Sequence, residues 1–250
     1  MAKVVITGAS SGIGEALARY YASPDTTLGL IARRPISASL PGTVVSYSLD
    51  VADAQATQAA ARDFVSRFGA PDIVVANAGI GIGTHGDDLA DIAKLRRVLD
   101  VNVTGMATTL AAFAPAMRKA GRGTLAGIAS IASFRGIPGN GAYCASKAAA
   151  RAWLESLRVE LRGTGVSVVC VCPGYIDTPM TRVNRFRMPF IVDADRGAHL
   201  IARAIAAKRP VAVVPWQMAL VSILMRAMPD WLYDRLAARA PRKPRDVPIN

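Results

Sequence analysis

Short runs rich in Val and Ile alternate along the chain with Ala-rich segments whose apolar residues recur at helical spacing. The runs are continuously apolar, which is typical of parallel strands covered on both faces. Alternation of such strands with helices predicts an α/β fold, a doubly wound parallel sheet of about seven strands with helices on both faces. The predicted strands are Lys3–Thr7, Leu28–Ala32, Val44–Leu49, Asp72–Ala76, Thr124–Ala129, Val166–Val171 and Val211–Val214.

Five segments between the strands have helical periodicity, and the connection after the second strand differs from them. Pro35, Pro41 and Gly42 lie close together there, so this crossover has room for at most one helical turn. No linker divides the chain, and we expect one domain over residues 1–250. The predicted helices are Gly14–Ala22, Ala54–Phe68, Leu89–Lys119, Tyr143–Arg162 and Arg196–Lys208.

Composition excludes several classes of protein. With 52% hydrophobic and 19% charged residues, the chain is not of the disordered type. The formal net charge is +12, and most of the excess lies after Arg182, but neither an aromatic-interleaved basic patch nor a helix-turn-helix accompanies it. We therefore expect no nucleic-acid partner.

The three cysteines are too few for a disulfide framework, and the Cys170-x-Cys172 spacing is not that of a common zinc site. We expect no metal and a reducing, cytoplasmic location. The first strand follows Met1 so closely that no signal peptide is expected, and the uncharged run 210–225 is short for a membrane span.

The first strand leads into a glycine-rich turn, Thr7 to Gly14, which an amphipathic helix follows. Glycines let the backbone turn tightly and approach a pyrophosphate, and the helix N-terminus presents free N–H groups to it. Because a strand precedes the turn and a helix follows it, the string indicates dinucleotide binding rather than an ordinary loop. The expected contacts are Gly8, Ser10, Ser11, Gly12, Ile13 and Gly14.

Tyr143 and Lys147 are four residues apart at the start of a predicted helix, which places both side chains on one helical face. A nearby ammonium stabilises a phenolate and makes tyrosine a better acid and base near neutral pH. Ser130 ends the fifth predicted strand, at the sheet edge where open α/β sheets bind ligands. Its hydroxyl can donate to a carbonyl oxygen on which charge develops.

The spacing Thr-Gly-x-x-x-Gly-x-Gly, together with Ser130, Tyr143 and Lys147, resembles the short-chain dehydrogenase/reductase family, which has a Rossmann-like fold. The resemblance implies a catalytic set of Asn102, Ser130, Tyr143 and Lys147. In this set Tyr143 is the acid/base on the substrate oxygen, and Ser130 orients the carbonyl. Lys147 lowers the tyrosine pKa and holds the nicotinamide ribose, and Asn102 holds a water of the proton relay.

Three further pieces match the family, and each follows a predicted strand, so they gather at one sheet edge. The resemblance implies that Asp50 contacts the adenine, and that Ile176 and Thr178 contact the nicotinamide carboxamide. The matching residues are Asp50, Val51, Asn77, Ala78, Gly79, Pro173, Gly174, Ile176 and Thr178.

The end of the second strand favours NADP(H) over NAD(H). An NAD site usually has an acid there for the ribose 2′-hydroxyl, whereas this strand ends in Arg33 and Arg34 with no acid beside them in sequence. Guanidinium groups bind a 2′-phosphate through charge-assisted hydrogen bonds. We expect Arg33 to be the main contact and Arg34 to assist it.

The segment 179–195 is long and interrupted by proline, which is typical of a substrate lid. Its apolar residues, expected to face an apolar substrate, are Met180, Phe186, Met188, Phe190 and Ile191; its cations, expected to meet a carboxylate or phosphate, are Arg182, Arg185 and Arg187. Packing within the lid and solvation of the charges explain these residues equally well.

An apolar helical region at 216–239 follows the seventh strand. A helix that is apolar nearly all round must be buried against protein or lipid. The substrate cleft or a partner subunit is favoured over the alternative of peripheral contact with an anionic membrane. The region departs from the family's commonest ending, so a homo-oligomer, with a dimer favoured over a tetramer, is expected.

These patterns together predict an NADP(H)-dependent oxidoreductase acting on a small carbonyl or alcohol substrate. The alternative from another class is a non-catalytic NADP(H)-binding sensor or scaffold, which has no need of Ser130, Tyr143 and Lys147 as a proton-donating set. A sugar-nucleotide epimerase or dehydratase would need a longer C-terminal substrate domain.

Overall fold

Seven parallel strands form one sheet in the order β3-β2-β1-β4-β5-β6-β7, which confirms the predicted fold class. The computed structural model describes residues 1–36, 39–184 and 186–245. Each strand lies within about two residues of its predicted position, because continuous apolar runs mark strands buried on both faces. The strands are β1 Ala2–Thr7, β2 Thr26–Ala32, β3 Thr43–Ser48, β4 Ile73–Ala76, β5 Gly123–Ile128, β6 Val166–Pro173 and β7 Val211–Val214.

Helices cover both faces of the sheet, as the alternating pattern predicts. The segment predicted as one helix over 89–119 is divided by a wider, π-helical turn at Asp100–Gly105, and Asn102 lies on that turn. Short 3-10 turns occur at Leu89–Asp91 and Ile131–Ser133. The helices are α1 Gly12–Tyr21, α2 Ala54–Phe68, α3 Ile92–Leu99, α4 Met106–Ala120, α5 Gly141–Glu160, α6 Pro179–Arg182, α7 Ala194–Ala206, α8 Trp216–Ala227 and α9 Asp230–Ala237.

The hydrophobic core consists of two clusters, one on each face of the sheet. Successive residues of a strand point to opposite faces, so Val4 belongs to one cluster and Val5 to the other. Phe64 of α2 and Phe113 of α4 meet edge to face in the larger cluster, with ring centroids 6.1 Å apart. Leu17 of α1 packs in the smaller cluster.

The strand order reverses between β1 and β4, since β2 and β3 lie on one side of β1 and β4 to β7 on the other. In open α/β sheets a crevice forms outside the carboxyl ends of the strands at this point. The connection from β2 to β3 has no helix among its described residues, as the prolines predict. The glycine-rich turn after β1 therefore opens directly into the crevice.

The C-terminal helices leave a large apolar surface exposed. Only part of their apolar surface packs near the cleft, as one of the two favoured alternatives predicts. Met218 of α8 is buried against Gly174, next to the crevice. The opposite side of α8 is exposed, and the exposed fractions are 68% for Trp216, 60% for Leu220, 63% for Ile223 and 64% for Leu224. Within the described part of the chain, every helix is too short or too polar to cross a bilayer.

Candidate active site

The turn between β1 and α1 can be built only with glycine at two positions. Gly8 has a φ of +68°, in the left-handed region that favours glycine, and a Cβ on it would lie 2.9 Å from Ala78 Cα. A Cβ on Gly14 would collide with Gly8 O and lie 2.6 Å from Asn77 Nδ2. Gly14 therefore holds the turn closed from behind and does not line the cleft, whereas the resemblance implies that it contacts the cofactor.

Hydrogen bonds that Thr7 accepts fix the two sides of the crevice relative to each other. Its Oγ1 accepts from the backbone N–H groups of Asn77 and Ala78, both at 3.0 Å, and its carbonyl accepts from Asn77 Nδ2 at 3.0 Å. Thr7 ends β1 and Asn77 follows β4, so these bonds lie at the strand-order reversal. They place the segment Asn77–Gly79 along the wall of the cleft.

The cleft continues from this turn toward the ends of β2 and β3. Arg34 Nη2 donates to Ser11 Oγ at 2.9 Å, which links the arginine to the cap position of α1. Arg33 is more than one-third exposed, and its Nη1 lies 3.8 Å from Asp50 Oδ2. Residues lining this half are Gly8, Ser10, Ser11, Arg33, Arg34, Asp50, Val51, Ala78 and Gly79, together with Ile31, Ala32, Leu49, Ile80 and Val101.

Asp50 shows that an acid does lie near Arg33 in space, although none lies beside it in sequence. Burial alone would raise the pKa of Asp50, but hydrogen bonds from Ala52 N–H and the Arg97 guanidinium outweigh it and lower the pKa. Arg97 contacts the carboxylate more closely than Arg33 does. Asp50 is therefore neutralised mainly by Arg97, and the Arg33 guanidinium remains available to an anion.

The other half of the cleft contains the predicted proton-transfer residues. Thr178, Ile176 and Gly174 reach it from the segment after β6. The two halves share Gly8, Ser11, Ala78 and Gly79, so they form one continuous groove along the carboxyl edge of the sheet. Lining this half are Gly8, Ser11, Gly12, Ile13, Asn77, Ala78, Gly79, Ser130, Tyr143, Lys147, Pro173, Gly174, Ile176 and Thr178.

Tyr143 lies in the first turn of α5 and faces Ser130, which follows β5. Burial raises the pKa of Tyr143 to about 12, and the Ser130 hydroxyl opposes that shift. The net direction is opposite to the lowering that the sequence predicts from Lys147. Desolvation penalises the phenolate, and here it is the larger effect.

Lys147 lies one turn further along α5, and its side chain is almost fully buried. Its Nζ donates to the Ile128 carbonyl at 2.8 Å and lies 5.7 Å from the centre of the Tyr143 ring. Burial lowers the pKa of Lys147 to about 8. The carbonyl of β5 thus fixes the ammonium beside the phenol.

Asn102 is fully buried behind the cleft and acts as a clamp on its wall. Its Oδ1 accepts from Ile80 N–H at 2.8 Å, and its Nδ2 donates to the Ile80 carbonyl at 2.9 Å and to Ser146 Oγ at 3.0 Å. Ser146 in turn donates to the carbonyl of Tyr143 at 2.8 Å. Asn102 therefore joins the loop after β4 to the helix that carries Tyr143.

A further cavity of about 300 Å³ adjoins Ser130 and Tyr143 on the side away from the glycine-rich turn. Its walls are mainly apolar and come from four segments, the loop after β5, the first turn of α5, the segment after β6 and residues 240–243. Besides Ser130 and Tyr143, the lining comprises Ile131, Ala132, Ile137, Pro138, Asn140, Gly174, Tyr175, Met180, Thr181, Asn184, Phe186, Arg187, Ala240, Pro241 and Lys243.

The predicted lid is only partly at this cavity. Met180, Phe186 and Arg187 line it, whereas Phe190 and Ile191 are exposed and Met188 is not among its lining residues. Arg182 does not line it and instead pairs with Asp177 at 2.7 Å. Arg185 lies outside the described residues.

Lys243 is a residue of the site that the sequence pattern misses. Its Nζ lies 5.5 Å from the centre of the Tyr143 ring, and burial lowers its pKa to about 8. The residue is 100 positions from Tyr143 in a tail without helical or strand periodicity. The only available signal is its place within a basic C-terminal stretch, which indicates charge but not location.

Comparison with known proteins identifies the family. Residues 2–188 match the short chain dehydrogenase family, and the chain belongs to it, as the sequence motifs predict. It is 39% identical over 243 residues to an uncharacterized oxidoreductase of Myxococcus xanthus, a match that covers 94% of this chain and 96% of that protein.

Two solved structures extend the likeness. An alcohol dehydrogenase from the archaeon Thermococcus sibiricus, complexed with 5-hydroxy-NADP, is 30% identical with a TM-score of 0.72, over 86% of this chain and 95% of that one. A 3-ketoacyl-ACP reductase from Sinorhizobium meliloti is 29% identical with a TM-score of 0.74, over 85% and 96%. Other structures of this fold are complexes with NAD or NADH.

The clamp made by Asn102 leads to a stability prediction. In Asn102→Asp the carboxylate cannot donate to Ile80 O and is buried, so the free energy of unfolding should fall by about 3 kcal/mol. Urea denaturation measures this loss. Ser146→Ala, which removes only one partner of Asn102, should cost about 1 kcal/mol. Equal stability of Asn102→Asp and wild type would contradict the clamp.

Proposed function

We propose that the protein is an NADP(H)-dependent oxidoreductase that interconverts a carbonyl group and a secondary alcohol. One observation carries the proposal: the phenol of Tyr143 lies where the groove beside the glycine-rich turn meets the apolar cavity, with the Lys147 ammonium 5.7 Å from its ring. A proton donor at such a junction can reach a substrate in the cavity and a cofactor in the groove at once. Carbonyl reduction is the favoured direction.

The groove is suited to a dinucleotide. Gly8 and Gly12 leave space for a pyrophosphate, and Gly14 packs behind the turn; a Cβ at any of the three would meet neighbouring atoms within 3.2 Å. Helix α1 begins at Gly12 and directs its free N–H groups into the turn. When bound, a nicotinamide cofactor supplies or accepts a hydride.

The chain's own residues then handle the proton. Tyr143 donates its phenolic proton to the oxygen of the carbonyl being reduced, and Ser130 holds that oxygen through its hydroxyl. One hydrogen of the Lys147 ammonium is used by Ile128 O, which leaves two for ribose hydroxyls and for stabilising the phenolate. Asn102 is proposed to hold a water that returns a proton to the site, besides clamping the wall.

Preference for NADP(H) is argued from Arg33 and Arg34, since related folds bind both kinds of cofactor. Neither guanidinium has an exclusive carboxylate partner among the described residues: Arg34 binds the Ser11 hydroxyl, and Arg33 shares Asp50 with Arg97. A 2′-phosphate at the end of β2 would give both arginines an anionic partner. The Thermococcus sibiricus relative is complexed with 5-hydroxy-NADP and other structures of the fold with NAD or NADH, so the assignment rests on the two arginines.

A non-catalytic NADP(H) sensor is not favoured. Such a protein needs the groove but not a phenol and a buried ammonium beside a second, apolar cavity. Burying Lys147 costs free energy, and a site that only binds dinucleotide would gain little from it.

The acid/base role of Tyr143 is tested by Tyr143→Phe. Loss of the phenolic proton should lower kcat for ketone reduction by roughly a thousandfold while cofactor affinity stays near wild type. NADPH oxidation over a panel of ketones, aldehydes, steroids and acyl thioesters measures the rate. Tyr20→Phe, the same change at an exposed tyrosine of α1 that does not line the cleft, is the control and should keep near-normal kcat. Comparable rates for Tyr143→Phe and wild type would refute the role.

The cofactor assignment is tested by Arg33→Ala. Removal of a charge-assisted contact to the 2′-phosphate should weaken NADP⁺ binding by roughly 10- to 100-fold and leave NAD⁺ binding unchanged. Isothermal titration with both cofactors measures the affinities. Arg118→Ala, at an exposed arginine at the end of α4, is the matched control. Tighter binding of NAD⁺ than NADP⁺ by the wild type would overturn the assignment.

We also propose that residues 1–250 act as one domain and that it pairs with a second copy through the exposed apolar side of α8 and α9. Arg135, in the loop after β5, donates to the carbonyls of Met225 and Met228 and pairs with Asp230, which ties these helices to the substrate side. Large contiguous apolar surfaces mark interaction sites. The three cysteines, buried as free thiols, fit the reducing, cytoplasmic location proposed.

The pairing is tested with Leu220→Glu. A charge on the apolar side of α8 should convert a dimer in sedimentation equilibrium to a monomer, because an unpaired carboxylate would be desolvated at the contact. Val44→Glu on β3, at the opposite sheet edge from α8, should leave the dimer intact. A wild-type monomer that co-sediments with anionic vesicles would favour the membrane surface instead.

A further inference from the structure

The C-terminal tail of the described chain, residues 240–245, forms one wall of the substrate cavity. Ala240, Pro241 and Lys243 line the cavity beside Ser130 and Tyr143. Terminal residues without regular secondary structure hold a fixed position only when several contacts anchor them. The contacts of the tail therefore decide whether this wall is part of the site.

Three contacts seat the tail against the loops that carry the site. Gly83 N–H donates to the Pro244 carbonyl at 3.1 Å. Arg245 pairs with Asp88 and with Asp91, at 3.0 Å from Asp91 Oδ2, and Asp91 is only 2% exposed. On the other side, Arg242 packs on Gly139, where a Cβ would lie 2.8 Å from Arg242 Cβ.

This seating places the Lys243 ammonium next to Tyr143. Gly81 provides the room, since a Cβ on it would lie 2.7 Å from Lys243 Nζ and 3.2 Å from Tyr143 Cδ2. Among the described residues, no carboxylate forms an ion pair with Lys243, and its Nζ has no hydrogen-bond acceptor. A partly buried ammonium without an anionic partner is costly, and binding an anion would relieve that cost.

The cavity itself favours an anion. Its described lining holds two cations, Lys243 and Arg187, and contains neither Asp nor Glu. The remaining walls are apolar or carry neutral hydroxyl and amide groups. A ligand with an apolar body and one carboxylate is complementary to this combination.

We propose that Lys243 is a specificity-determining residue that binds a carboxylate of the substrate, so that the cavity takes oxo acids in which the carboxylate lies a few bonds from the reacting carbonyl. The proposal rests on the reductase function above and narrows its substrate class. Lys243 binds the carboxylate by a charge-assisted hydrogen bond while Ser130 and Tyr143 hold the carbonyl oxygen. No proton or hydride passes through Lys243.

Matched pairs of an oxo acid and its methyl ester test the proposal, because the ester keeps the ketone and its carbon skeleton and replaces the negative charge of the carboxyl group with a methyl group. Benzoylformate with methyl benzoylformate, and levulinate with methyl levulinate, place the carboxyl carbon at two distances from the ketone. With NADPH and the full chain, the wild type should show kcat/KM at least roughly tenfold higher for the acid of one pair. Lys243→Met should raise KM for that acid by roughly 10- to 100-fold and leave both constants for the ester near wild type.

Two variants serve as controls. Lys243→Arg keeps the charge and should recover part of the preference for the acid. Lys208→Met removes an exposed lysine just after α7 and should leave kcat and KM for both the acid and the ester unchanged. Loss of kcat on acid and ester alike in Lys243→Met would overturn the proposal, since Lys243 would then act on Tyr143. Equal kcat/KM for acid and ester in wild type would overturn it as well.

A binding measurement separates this proposal from the reductase function. Calorimetry of benzoate and of neutral benzamide with the enzyme saturated with NADP⁺ needs no turnover. Binding of benzoate that Lys243→Met abolishes would support the anion subsite even if no ketone is reduced, in which case only the proposed function fails. Absence of benzoate binding to wild type, alongside measurable reduction of ketones, would overturn the subsite and leave the proposed function intact.

Discussion

The hydrogen bonds between the end of β1 and the segment after β4 are the constraint on which the site depends. Thr7 Oγ1 accepts from two consecutive backbone N–H groups, so the strand pair at the reversal of the sheet is locked at its carboxyl end. Gly14 can then pack against the turn from behind, and the groove opens between two walls of fixed separation. The residues that line the groove are therefore positioned relative to these hydrogen bonds.

A second set of hydrogen bonds connects that groove to the helix that carries Tyr143. Asn102 ties the loop after β4 to Ser146 on α5, and Ser146 binds the carbonyl of Tyr143 one turn earlier. The phenol is thus held through a buried polar network that also sets one wall of the groove. Such a network rigidifies a site only when every member is satisfied, and the side-chain oxygen and nitrogen of Asn102 both have partners here.

Much of this arrangement can be predicted from the sequence, because its signals are local. Apolar runs marked all seven strands, and the Tyr143 and Lys147 spacing placed both on one face of α5. What depended on distant contacts could not be predicted. Arg33 has no acid beside it along the chain but lies near Asp50, and Lys243 reaches Tyr143 only through a tail that Gly83 and Asp91 hold. Nor could helical periodicity reveal that the turn around Asn102 is π-helical.

The tail also has an evolutionary consequence. The stretch that matches the family ends at residue 188, whereas Lys243 and its anchors Pro244 and Arg245 lie beyond it. In the proposed function, the residues that bind the dinucleotide and transfer the proton therefore lie within the family-matched stretch, whereas Lys243 of the substrate cavity lies outside it. If the tail selects the substrate as proposed, changes in these last residues alter which molecules bind without disturbing the sheet, so related enzymes can change substrate at little cost to folding.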